Sequence, residues 1–301
     1  MTGAAAQLLT RCSFPERGAP LTCAVSGGPD SLALLVLATA AGCDVIAVHV
    51  DHGLRPGSSA EAEVVAAAAA RFGARFRSER VEVSPGPNLE ARARAARRAV
   101  LPLGTATGHT ADDQAETVLL NLLRGAGLDG LAGMRPGTTK PILALRRAET
   151  AALCAAAGLT PVQDPSNLDP AHRRNRVRHE LLPLLEDIAQ RDVVPVLTRQ
   201  ADLLRDEADL LDELAAPLDA AAAPALAAAP PALARRAVRR LLSNHADGDA
   251  HPPSAASVER VLAVARNEAA ACELEGGVRV RRSRGRLHVA LASEAKPPRR
   301  T

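Results

Sequence analysis

Aromatic side chains are almost absent: the 301-residue chain has three Phe and neither Trp nor Tyr. A core must therefore be built from Leu, Val and Ala within a hydrophobic share of 47%, and base recognition by aromatic stacking is largely excluded. Lysine is nearly as scarce. Only Lys140 and Lys296 occur, so almost every cation is Arg, whose planar fork suits phosphates and base edges; a coding bias of Arg over Lys accounts for the same composition. Cysteine pairs are missing. Cys12, Cys23, Cys43, Cys154 and Cys272 are scattered, odd in number and form no C-x-x-C, which argues against a disulfide framework or a cysteine-built zinc site and fits a reducing cytoplasm. The longest apolar run, Ser31–Cys43, is too short to cross a bilayer, and no charged segment leads into a signal-type core at the N-terminus. The expectation is a soluble, cytoplasmic protein with no membrane partner. Net charge is only +3, without the strongly basic footprint of a polyanion binder. Neither G-x-x-x-x-G-K-[ST] nor G-x-G-x-x-G occurs, which disfavours a Walker-type enzyme cleaving a γ-phosphate and a Rossmann dinucleotide site.

The length favours two domains, or one with an appendage. In the first half, short β-rich runs alternate with Ala-rich helical stretches: Leu21–Val25, Ser31–Ala41, Asp44–Val50, Ala60–Phe72, Glu79–Val83 and Leu89–Val100. Such alternation predicts an α/β fold on a parallel sheet, with ligands beyond the carboxyl ends of its strands. Glu149–Gly158 and Glu180–Leu214 read as helical, the latter with Leu203, Leu204, Leu210, Leu211 and Leu214 at helix spacing. Ala215–Ala234 is a low-complexity Ala/Pro segment. It is followed by helical patterns at Arg235–Leu242 and Ser257–Arg266 and an alternating run around Val278–Val289. The boundary is placed near Asp192, giving a catalytic domain over 1–191 and a mainly helical appendage over 192–301.

Directly after the first strand stands Ser26-Gly27-Gly28-Pro29-Asp30-Ser31, and directly after that a helix begins. Strand, glycine loop and helix make a phosphate cradle: glycines admit close approach, free N–H groups point at the oxygens, and the helix dipole favours negative charge. Asp30 would repel a triphosphate unless Mg²⁺ bridges the two, so the loop predicts a metal-bound nucleotide with Asp30 on the metal. After the second strand, His49-Val50-Asp51-His52-Gly53-Leu54-Arg55 falls where a switch-point loop would contact that nucleotide, with His52 as the contact. A metal site of His49, Asp51 and His52 is the rival reading, disfavoured because successive strand residues face opposite sides. Further on, Thr110 can cap the helix carrying Asp113 and Glu116, whose three-residue spacing puts two carboxylates on one face for a single cation. Four arginines and a histidine lie among His172-Arg173-Arg174-Asn175-Arg176-Val177-Arg178, and on a helix Arg174 and Arg178 share a face suited to a phosphate backbone or to charge developing on ATP.

The string S-G-G-P-D-S resembles the PP-loop signature of enzymes that split ATP between its α- and β-phosphates. Together with V-D-H-G-L-R, the run G-H-T-A-D-D-Q-A-E-T-V-L-L-N-L-L-R-G-A-G-L-D-G-L-A-G-M and D-P-S-N followed by R-N-x-x-R-x-x-L-L-P, it is similar to the tRNA(Ile)-lysidine synthetase family over about residues 20 to 190. The resemblance implies a PP-loop, adenine-nucleotide-alpha-hydrolase-like fold and use of ATP and Mg²⁺. The implied reaction adenylates carbon 2 of the wobble cytidine of an isoleucine tRNA with a CAU anticodon, after which free L-lysine displaces AMP. Carried over residue by residue, it implies ATP binding by Ser26, Gly27, Gly28, Pro29, Asp30, Ser31, His52 and His109, lysine binding by Asp113 and Glu116, and catalytic roles for Asp30, Asp113, Arg174 and Arg178. Two stretches depart from the family pattern, Arg97-Arg98-Ala99-Val100 and Lys140-Pro141-Ile142-Leu143. Another PP-loop tRNA-modifying enzyme and a non-catalytic nucleotide- or RNA-binding protein remain as alternatives. The sulfur-inserting sister enzymes commonly need the cysteine pair that is missing here.

Overall fold

The strand Pro20–Ala24 (β1) alternates buried Leu21 and Cys23 with half-buried neighbours, and its apolar character on both faces suits the centre of a parallel sheet. A computed structural model describes residues 3–51, 53, 58–81, 86, 89–245 and 253–291. They fall into two units, Met1–Leu204 and Arg205–Thr301, the division lying within one long helix.

In the first unit β1 pairs in parallel with Asp44–Asp51 (β2) on one side and Ala106–Thr107 (β4) on the other, and β2 pairs with Arg75–Arg80 (β3), giving the order β3-β2-β1-β4. The chain thus winds outward from β1 through β2 to β3 and then crosses to the far side of β1, so β1 and β4 flank a topological switch point, the crevice where open parallel sheets bind ligands. The helices of this unit are Gly3–Leu9 (α1), Pro29–Ala41 (α2), Ser58–Phe72 (α3), Leu89–Val100 (α4), Ala111–Leu123 (α5), Leu128–Leu131 (α6), Arg147–Ala156 (α7), Arg173–Arg176 (α8) and Leu182–Ala189 (α9), with Val194–Ala215 (α10) running into the second unit.

The core forms around α2, where Leu32, Leu34, Leu35 and Leu37 are wholly buried. A helix apolar on all sides must be covered on all sides, and α2 packs against α1, α3, α7, β1 and β2. Cys23, Val45, Ala47, Val65, Ile142 and Leu153 complete the cluster without a buried aromatic ring. The five thiols are unpaired, and burial pushes Cys23 up to about 12 and Cys154 up to about 11. Among the described residues no helix is long and apolar enough to cross a membrane.

The polar stretch Arg75–Arg80 forms β3, whereas the sequence pattern points to a strand at Glu79–Val83; residues 82 and 83 lie outside the described residues. The stretch read as one helix from Glu180 to Leu214 is broken after α9, where Gln190 adopts left-handed backbone (φ 51°), and restarts at Val194 with Pro195 in its first turn.

The second unit contains Ala223–Ala228 (α11), Pro231–Ser243 (α12) and Ala255–Ala265 (α13), with an antiparallel sheet β5-β6-β7 of Ala271–Glu273, Val278–Ser283 and Arg286–Leu291. Its own core joins Leu226, Val238, Val261, Leu262, Val280 and Leu287. The Ala/Pro segment is thus partly structured, carrying α11 and the start of α12.

Candidate active site

The loop between β1 and α2 is held open from within. The Ser31 hydroxyl accepts from the Ser26 N–H at 3.1 Å and donates to the Gly28 carbonyl at 2.9 Å. Gly27 sits at φ +89° with its carbonyl bound by Val162 N–H at 2.9 Å; a side chain there would be strained and would press on Val162. After β4 the chain meets this loop backbone to backbone. A Cβ on Gly108 would stand 2.6 Å from the Asp30 carbonyl oxygen, so only glycine lets the two crossing loops approach this closely. Together they border a cavity of about 550 Å³ at the carboxyl ends of β1, β2 and β4.

Of the residues chosen from sequence, Ser26, Gly28, Pro29, Asp30 and Ser31 line that cavity, as do His109, Asp113 and Arg178. Gly27 is buried behind the loop, and Glu116 and Arg174 stand behind the cavity wall. His52 lies outside the described residues, as do Leu54 and Arg55. The rival metal site includes His52 and so lies partly outside the described residues; among the described residues no group of three or more His, Cys, Asp and Glu is arranged to hold a metal ion. A lone carboxylate beside a phosphate cradle fits an ion whose remaining ligands come from the phosphates.

Asp30 opens α2. Thr150 on α7 donates its hydroxyl to one carboxylate oxygen, and Arg147 Nε lies 3.5 Å from the other. Burial nevertheless raises its pKa above the ordinary carboxylate value, outweighing the Thr150 and Arg147 contacts. A group held this way gains from a cation placed beside it.

Asp113 and Glu116 share one face of α5, as their spacing requires, but their surroundings differ. Asp113 Oδ2 accepts from the Thr110 N–H at 2.9 Å and hydroxyl at 3.1 Å, while Oδ1 is 3.0 Å from Arg147 Nη2. Burial pushes its pKa up, but Arg147, the Thr110 N–H and Arg174 outweigh it and hold the carboxyl below the usual range. Glu116 has no exposed surface, and both its oxygens are occupied. Arg178 grips it through Nε at 2.7 Å and Nη2 at 3.1 Å, Arg174 Nε reaches it at 2.8 Å and Arg147 Nη2 at 3.1 Å. Glu116 therefore has no open edge for an ammonium in this structure. Its evident work is to anchor three guanidiniums, of which Arg147 and Arg178 reach the cavity.

Arg174 and Arg178 do share a face, one turn apart. A π-helical turn, Val177–Leu181, joins α8 to α9 at this point, and such turns recur at functional sites. The preceding block is pinned to the same segment: the Asn175 amide donates to the carbonyls of Ser166 and Asp169 at 2.8 and 2.9 Å.

Sequence reasoning missed Arg147, which bridges Asp30, Asp113 and Glu116. A signal was present. Arg146 and Arg147 stand at the start of α7, where the helix dipole disfavours cations, so two arginines there imply carboxylates facing them. Asp112 takes Arg146 Nε at 3.1 Å and the Arg147 N–H at 2.7 Å. The departures also find places. Arg97 lines the cavity, Lys140 donates to the Thr107 hydroxyl at 2.6 Å and Ile142 is fully buried.

A parallel sheet, a glycine loop leading into α2 at its switch point and a carboxylate at the mouth of that loop define a nucleotide-type α/β domain, and residues 4–185 match the family described as the PP-loop domain. That match spans over half of the chain, and the chain belongs to the PP-loop family. Residues 222–288 match a second family, the TilS substrate binding domain. Among curated proteins, the chain is 46% identical over 202 residues to a tRNA(Ile)-lysidine synthase of Nocardia farcinica, covering 64% of each. It is 48% identical over 193 residues to that of Mycolicibacterium paratuberculosis, covering 61% of this chain and 59% of that protein. It thus spans less than two thirds of the length of these relatives. Among solved structures, the U34-tRNA thiolase NcsA from Methanococcus maripaludis shares the fold, with a TM-score of 0.54 at 16% identity over 67% of this chain and 78% of that one.

Proposed function

We propose that this protein is an ATP-dependent ligase that joins free L-lysine to carbon 2 of the wobble cytidine of an isoleucine tRNA with a CAU anticodon, forming lysidine. The observation that carries the reading is the pairing of a phosphate loop with an acidic and arginine-rich wall on one cavity, in a chain whose relatives are named tRNA(Ile)-lysidine synthases.

In this reading the N–H groups of Ser26–Ser31 and the first turn of α2 receive the nucleotide phosphates. The cytidine carbonyl oxygen attacks the α-phosphorus and pyrophosphate leaves; the lysine ε-amine then forms the new C–N bond at carbon 2, AMP departs with the oxygen, and the amine loses a proton. Asp30 would hold Mg²⁺ carried in by ATP, and that ion supplies charge neutralisation at the phosphates. Arg147 and Arg178, fixed in place by Glu116, face the charge that develops on the phosphates. Asp113 lines the cavity and is the carboxylate that meets the lysine ammonium, with Glu116 acting behind it. His109, hydrogen-bonded through Nδ1 to the Thr107 hydroxyl at 2.8 Å, borders the nucleotide, and His52 is proposed as a further contact. The second unit is proposed to dock the tRNA.

The deciding experiment incubates the protein with the tRNA, ATP, Mg²⁺ and isotope-labelled lysine and reads the nucleosides by mass. Lysine on cytidine supports the proposal; adenylate and pyrophosphate production without lysine transfer indicates another PP-loop tRNA-modifying activity. Nucleotide or RNA binding with no turnover indicates a non-catalytic protein.

A further inference from the structure

Among the described residues, one cavity-lining side chain carries a buried polar atom without a partner: His49, on β2, whose Nε2 accepts and donates nothing. The side chain is 2% exposed. Its other nitrogen is committed, because Nδ1 lies 3.0 Å from the Val25 carbonyl oxygen. A carbonyl only accepts, so Nδ1 carries the proton, and in the neutral ring Nε2 is a bare lone pair. Buried polar atoms are rarely left unmatched, and an unmade bond costs stability. Val25 immediately precedes the phosphate loop, so the bond that fixes the ring also ties it to that loop.

We propose that His49 Nε2 accepts a hydrogen bond from a donor on the bound nucleoside, either the exocyclic amine of adenine or a ribose hydroxyl, and thereby selects and positions the nucleotide. The inference rests on the reading of the cavity as a nucleotide site. A lone pair in a buried position discriminates strongly, because a ligand lacking the donor leaves it unpaired, whereas a ligand presenting an acceptor is repelled.

The test is calorimetric binding of ATP with Mg²⁺ to the full chain, without tRNA, compared with three analogues: purine riboside triphosphate, which lacks the amine, 2′-deoxy-ATP and 3′-deoxy-ATP. Wild type should bind one of the three about tenfold more weakly than ATP, which names the donor. His49→Asn keeps an amide N–H able to reach the Val25 carbonyl but has nothing at the Nε2 position. It should lose about tenfold in ATP affinity and no longer distinguish ATP from that analogue. His49→Gln, whose amide oxygen reaches the Nε2 position, should recover part of the affinity, a rescue that a merely structural role would not produce. Equal binding of ATP and all three analogues by wild type overturns the inference without any variant, as does a folded His49→Asn protein with unchanged ATP affinity. A wild-type chain that does not bind ATP at all overturns the nucleotide reading and the inference with it, which distinguishes the two failures.

Discussion

At the scale of single residues, the site separates side chains that face the cavity from those that hold them there. Asp30→Ala should abolish pyrophosphate release from ATP while the protein stays folded, because the N-cap of α2 is Gly28 rather than Asp30 and the loop is braced by Ser31; radiolabelled ATP–pyrophosphate exchange checks this. Glu116→Gln should behave differently. Arg147, Arg174 and Arg178 share two negative charges, Glu116 and Asp113, and removing the wholly buried one leaves three half-buried cations undercompensated, at a cost of about 1–3 kcal/mol, so denaturant unfolding should move before any kinetic effect is interpreted. Asp112 gives a pH dependence. Burial raises its pKa, but the Arg146 side chain and the Arg147 N–H more than reverse this, so the folded value lies below the unfolded 3.8. The stabilisation from its ionised form is present above that unfolded value and disappears as pH falls through the folded one. Asp112→Asn should therefore flatten the acid limb of a stability-versus-pH curve below about pH 4. The phosphate loop was legible in sequence because its signal is local: glycines and an aspartate between an apolar strand and an apolar helix. The work of Arg147 and Glu116 was not, since it depends on α5, α7 and α8 converging.

At the scale of elements, the crossing of the β1 and β4 loops is a constraint of backbone against backbone. Gly108→Ala would drive a methyl group into the Asp30 carbonyl, and backbone cannot yield as a flexible side chain can. ATP affinity should fall at least about tenfold in a protein that retains its helical circular dichroism. Unchanged affinity would mean that the two loops separate freely. The parallel sheet and its first two helices were readable from alternation and apolar runs. The position of β3 was not, because an edge strand rich in arginine does not alternate like a half-buried one, and charge on an edge is what discourages stray pairing. The break between α9 and α10 was hidden because it is made by Gln190, not a glycine, in left-handed backbone, and Pro195 marks only the restart.

At the scale of the whole molecule, the proposal assigns different work to the two units. In the second, Arg279 and Arg281 flank buried Val280 on β6, and both are exposed; further along the chain, Lys296, Arg299 and Arg300 lie outside the described residues. If the strand binds phosphates, the double substitution Arg279→Ala and Arg281→Ala should reduce the slope of log tRNA affinity against log salt by roughly 0.7–0.9 for each phosphate no longer neutralised. ATP binding should stay as it was. Equal slopes would assign tRNA docking to the first unit alone. A net charge of +3 conceals how evenly charge is matched at the cavity: among its lining residues Asp30, Glu61, Asp113 and Asp164 are acidic and Arg97, Arg147 and Arg178 are basic. The wall that a nucleotide meets is therefore close to neutral before it arrives, and its arginines are already spoken for. A triphosphate entering such a place must bring its own positive escort, so ATP should bind far more weakly in chelator than in Mg²⁺.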